Sequence, residues 1–215
     1  MTAIRAGRPA NTSRKAILDA ASRLIEQEGW ERLTIRRLAG ELAVSPGTIY
    51  NYVRDKHALL TEILIEEGRG VQRPLLPPEP RERIVAVALL LHQTLVARPW
   101  IAEVGVSVGD ALSIDSGLWF PEEIIGGAVE AGVDIESAAR LWGHVWSYTV
   151  GDVSILAGRK HRQRHDGARD GGEDSSRIDA EEYPYLAQLP DRWQDLLTED
   201  RYESGLRALL RGLLP

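Results

Sequence analysis

The chain has 215 residues, 43% hydrophobic and 27% charged, an ordinary globular usage that excludes a collagen-like, coiled-coil or wholly disordered protein. With no cysteine it has no disulfide framework, thiolate zinc site or thiol nucleophile, and the expected compartment is the reducing cytoplasm. The net charge of −6 argues at first against a nucleic-acid partner, whose phosphates are held by Lys and Arg.

Residues 1–12 carry Arg5 and Arg8 but no apolar run, so they read as a flexible basic arm and not as a signal sequence. From Ser13 to Gly29, Ile17, Ala20, Ala21, Leu24 and Ile25 recur at helical spacing, with Thr12 or Ser13 as N-cap. Thr34 caps a short helix through Ile35, Leu38, Ala39 and Leu42 that stops near Ala43-Val44. Ser45 followed by Pro46 starts a third, running to about Val53. Asp55 caps a fourth through Leu59, Leu60, Ile63 and Leu64, which fades at Gly68-Arg69-Gly70. Pro74, Pro77, Pro78 and Pro80 form a rigid connection. A helix apolar on nearly every side follows over Arg81 to Arg98, then a shorter one after Pro99, then Glu122 to Ala131 and Asp134 to Lys160. Residues 161–182 are polar and read as a mobile loop, and Leu206, Leu209, Leu210 and Leu213 mark a final amphipathic helix. No apolar run reaches the length of a membrane span, and no membrane partner is expected.

Partition of the charge removes the objection to a nucleic-acid partner. Up to His57 there are ten basic and six acidic side chains, a balance of +4, which leaves −10 on the remainder. A basic end is the usual footprint of a nucleic-acid module. In the third helix, Ile49 and Val53 face inward, while Gly47, Thr48, Tyr50, Asn51 and Tyr52 project out. Asn can read adenine edges, Thr a thymine methyl or a phosphate, and Tyr a phosphate. The N–H groups at such a helix N-terminus also suit phosphate.

Thr34-Ile35-Arg36, Leu38-Ala39, Val44-Ser45, Gly47-Thr48-Ile49-Tyr50, Tyr52-Val53, Lys56 and Leu59-Leu60 together resemble the DNA-binding domain of the TetR family of bacterial transcriptional repressors. The resemblance covers about the first 65 residues. Ala43 stands where many helix-turn-helix turns carry glycine; a left-handed alanine there costs about 1–2 kcal/mol. The resemblance implies an all-α protein with an N-terminal three-helix helix-turn-helix domain over 13–57 and a larger helical ligand-binding and dimerisation domain over 58–215. It implies that Pro46, Gly47, Thr48, Tyr50, Asn51 and Tyr52 approach the major groove of an operator, with Thr34, Arg36 and Lys56 on phosphates. The expected protein is a homodimer on a palindromic double-stranded operator, released by an unknown small, largely apolar effector, and no cofactor or metal is expected.

The remainder adds its own signals. Gly143, Ser147 and Gly151 fall at i, i+4 and i+8, a flat stripe that lets another helix approach, and with Leu206, Leu209, Leu210 and Leu213 they are the expected dimer interface. Packing of that stripe within one chain is the alternative. Five of six tryptophans lie beyond residue 57; with Leu64 and His92, the aromatics Trp100, Trp119, Phe120, Trp142 and Trp146 are the expected ligand walls, plain core being the alternative, and Trp193 is the fifth. His92 and His144 interrupt apolar helices as ligand contacts or satisfied core groups. His161 and His165 lie four apart in the polar loop, a weak metal signal beside a solvated loop. Gly105-Val106-Ser107-Val108-Gly109 fits the nucleophile elbow of α/β-hydrolases, with Asp134 and His144 following in the right order, but the motif needs a strand before it. A serine hydrolase using Ser107 is therefore a remote alternative, and a DNA-binding regulator without a small-molecule effector a nearer one.

Overall fold

The computed structural model describes residues 12–108, 117–165, 179–189, 196 and 201–215. Arg5, Arg8, Gly109, Trp193 and the side chains of His161 and His165 lie outside the described residues, as do 166–178 of the expected loop. The described chain is helical, without a strand: α1 (Arg14–Glu28), α2 (Ile35–Glu41), α3 (Pro46–Tyr50), α4 (Lys56–Arg69), α5 (Pro80–Ala97), α6 (Trp100–Val108), α7 (Trp119–Glu130), α8 (Ile135–His165) and α9 (Tyr202–Leu213).

Capping fixes where these helices begin. Ser13, Thr34, Ser45, Asp55 and Glu79 each accept from a backbone N–H three residues on, and Asp134 from Glu136 N and Ser137 N. Those hydrogen bonds hold the Asp55 and Asp134 carboxyls below the usual carboxylate range. At the end of α7, Gly132 takes φ +98° and gives its N–H to Val129, while Val133 gives its own to Ala128, closing the helix in a Schellman motif.

Two apolar cores result. The first is built from α1 to α4 and includes Ile17, Leu38, Ile49 and Leu59. It also draws on Ile63 and Leu64 of α4, beyond residue 57, and on Trp100 and Val104 of α6. The expected boundary at 57 falls in the first turn of α4, an uninterrupted helix whose apolar stripe faces α1. In the second core α5, α7 and α8 pack on one another and α9 lies across α5 and α8. Three boundaries differ from expectation. α3 ends at Tyr50 and not near Val53. α7 starts at Trp119 and not Glu122, and α8 runs on to His165, five residues into the stretch expected as loop. A polar sequence can extend a helix whose earlier turns are already fixed by packing, since propagation is far easier than nucleation.

Candidate nucleic-acid interface and effector cavity

The α2–α3 turn is a second Schellman closure: Ala43 N–H reaches Gly40 and Val44 N–H reaches Ala39. It places Ala43 at φ +52°, so the condition under which an alanine there is costly is met. Ile49 and Val53 are buried, and this leaves Pro46, Gly47, Tyr50 and Asn51 on the open side of α3, with Tyr50 54% exposed. Thr48 is half-buried, its hydroxyl 3.0 Å from that of Ser45 and its N–H given to Ser45 Oγ, so the cap already uses one of the N–H groups expected to meet phosphate.

Two expected DNA contacts are engaged inside the chain. Tyr52 is half-buried beside the first core, and its hydroxyl donates to the carbonyl of Thr12. It adjoins Val53 and lies three residues after Ile49, so it turns toward the start of α1. Lys56 donates from Nζ to the carbonyl of Glu31 at 3.1 Å and sits 5.4 Å over the Trp30 ring, where desolvation lowers its pKa. Thr34 and Arg36 are exposed, with Thr34 Oγ1 accepting from Arg37 N. Arg37 is clamped between Glu28 (2.7 Å) and Glu41 (3.1 Å), hydrogen bonds that raise its pKa.

A cavity of about 90 Å³ lies between α4, α5, α6, α7 and α8. Of the expected walls, Leu64, Phe120, Trp142 and Trp146 line it. Three others do not. His92 is a satisfied core group, with Nε2 2.8 Å from Asp152 and its ring stacked 3.8 Å from that of Tyr202. Trp100 packs into the first core, and Trp119 stands edge-on to Phe120 beneath the guanidinium of Arg73. Leu91, Leu95 and Ile101 line the cavity without having been foreseen, because apolar residues on a core helix carry no mark separating wall from filling. Glu67 lines it too, paired with Arg98 at the α5–α6 turn; Arg98 also stands 3.9 Å from Glu26 of α1.

Gly143, Ser147 and Gly151 form an exposed stripe on α8, and a Cβ added at Gly143 or Gly151 meets nothing within 4 Å. On α9 the expected face divides. Leu206 and Leu210 are buried in the second core, whereas Leu209 is partly buried and Leu213 is 37% exposed. Leu206 and Leu210, one turn apart, are therefore core residues of their own chain. Ser107 lies exposed on α6, within a helix and not at a strand-to-helix turn, and His144 is exposed on α8.

Residues 17–63 match the family model of bacterial regulatory proteins, tetR family, and residues 74–215 match the tetracyclin repressor-like C-terminal domain. The tetracycline repressor protein class D of Escherichia coli is 37% identical over 57 residues, 26% of each chain. The match thus spans about a quarter of that relative. Among solved structures, Streptomyces coelicolor ActR in complex with actinorhodin superposes with a TM-score of 0.79 at 20% identity, covering 95% of this chain and 97% of that one. BioQ with its natural double-stranded DNA operator superposes with a TM-score of 0.65 at 20% identity, covering 94% and 98%. Both share the fold.

Proposed function

The chain belongs to the tetR family of bacterial regulatory proteins, and we propose that it is a DNA-binding transcriptional regulator that represses as a homodimer on an inverted-repeat operator and lets go when a small, largely apolar molecule fills the cavity. The open side of α3 supports the DNA reading: Pro46, Gly47, Tyr50 and Asn51 stand clear while Ile49 anchors the helix from beneath. ActR bound to actinorhodin and BioQ bound to its operator are relatives in fold with a small molecule and with DNA, respectively.

The observation that carries the release step is the double use of α4. Leu64 belongs to the core of the DNA-binding head and also to the cavity wall, and Glu67 one turn later binds Arg98 at the head of α6. A molecule wedged against Leu64 moves the helix on which the head is built. α6 reaches the same core through Trp100 and Val104. A ligand shifts the equilibrium only as far as it prefers one arrangement, so release requires it to bind the DNA-free spacing of the heads more tightly.

The bare stripe on α8 supports pairing about a two-fold axis, with Leu209 and Leu213 of α9 beside it. Paired heads then meet successive major grooves about 34–36 Å apart. Gly151→Trp tests this at an exposed position where nothing lies within 4 Å of the added Cβ. Sedimentation should show wild-type dimers and Gly151→Trp monomers; two species of equal mass would contradict the assignment.

A further inference from the structure

We infer that the basic segment ahead of α1 is a second reading element: it lays Gly7-Arg8-Pro9 in the minor groove beside each half-site, favours A·T pairs there, and is aimed by Tyr52. This rests on the DNA reading above and adds a contact outside α3. Residues 1–12 hold Arg5 and Arg8 and no acid, and half of the +4 excess up to His57 comes from those two arginines. Elsewhere in the head, Arg14, Lys15, Arg37 and Arg54 already face carboxylates of their own chain. The order of residues 7–9 suits a groove floor. Gly7 has no Cβ to hold the backbone away, Arg8 is driven toward an extended conformation by the proline after it, and Pro9 brings no N–H that needs a partner. Runs of A·T narrow the minor groove and concentrate the negative potential that draws an arginine in. Guanine's amino group stands in the same groove and marks G·C.

Tyr52 fixes where this segment joins the fold. Its hydroxyl donates to the carbonyl of Thr12, Ser13 caps α1 through Ala16 N, and Arg14 binds Glu62 of α4. The start of α1 is therefore tied to the residue just past α3, two positions from exposed Tyr50. From Thr12 an extended chain spans up to about 13 Å to Arg8 and about 23 Å to Arg5. The neighbouring minor groove lies half a turn, about 17 Å, from the major groove that α3 faces in the proposed complex.

Anisotropy on the full chain tests this with a duplex that wild type recovers from a random pool, the pairs adjoining each half-site being made all A·T, all G·C or all I·C. Inosine lacks guanine's amino group, so I·C keeps the major-groove edge of G·C and takes the minor-groove edge of A·T. Wild type should bind the A·T and I·C duplexes about tenfold more tightly than the G·C duplex, and Arg8→Gln should bring all three within about twofold. Tyr52→Phe keeps the ring, loses the hydroxyl and should cut the preference to about threefold. A purely structural loss would weaken all three duplexes alike and leave the ratio unchanged, and that result would overturn the role of Tyr52. I·C binding like G·C, or a tenfold ratio that survives Arg8→Gln, overturns the minor-groove contact. Wild type that recovers a consensus yet binds the three duplexes equally sinks this inference alone; failure to recover any duplex sinks the DNA reading on which it rests.

Discussion

Tyr50 and Tyr52, two residues apart, have opposite fates, and the difference is testable. Tyr50 is the exposed aromatic of α3, so Tyr50→Ala should weaken operator binding by about 1–3 kcal/mol with unchanged stability, read by fluorescence anisotropy. Tyr52→Phe should instead cost about 1 kcal/mol of stability, because it removes the hydrogen bond to Thr12. Ala43, held at φ +52°, predicts a gain: Ala43→Gly should raise unfolding stability by about 1 kcal/mol, seen as a higher urea midpoint at constant slope. Tyr202 gives a pH effect. Burial pushes its hydroxyl up to about 12, while the unfolded chain titrates near 10, so its stabilisation is complete below about pH 10 and is lost as pH rises through 12. Tyr202→Phe should flatten the fall in urea midpoint between pH 9 and 12; an unchanged fall would show that other groups carry it. At this scale caps and the strained turn were legible, since Ser13, Thr34, Ser45, Asp55 and Asp134 act through local hydrogen bonds. The direction of Tyr52 was not, because an amphipathic ring suits a groove or a core equally well and its partner, Thr12, is forty residues away in sequence.

Among elements, helix order and type followed from apolar periodicity, whereas what each face meets did not. The leucines of α9 recur at helical spacing, but only contact with α5 and α8 separates buried Leu206 and Leu210 from exposed Leu213. The same limit explains why nothing in the sequence marked Leu91, Leu95 and Ile101 as cavity wall. Close helix approach was equally hidden. A Cβ at Gly127 of α7 would lie 2.8 Å from Ile84 and 3.2 Å from the backbone oxygen of Pro80, so α5 and α7 meet through a residue without a side chain. Backbone cannot yield as a flexible side chain does, and Gly127→Ala should destabilise the body by about 1–3 kcal/mol. An unchanged thermal midpoint would show that the two helices have slack.

Over the whole molecule the charge division has a mechanical counterpart. The balance is +4 up to His57 and −10 beyond it, so the proposed reading expects DNA to repel the body, to meet the head alone and to be held weakly at non-specific sites. The two parts still share α4 and α6, through Leu64, Trp100 and Val104, and this coupling was not readable beforehand because it depends on which core each side chain enters. The proposal that the open face of α3 reads DNA in two-fold pairs is tested most directly by operator selection from random duplexes, run side by side with wild type and Tyr50→Ala. Wild type should recover an inverted repeat with half-sites about one helical turn apart or slightly more, and the variant should lose that consensus. An asymmetric consensus, or the same inverted repeat recovered equally well by Tyr50→Ala, would contradict it.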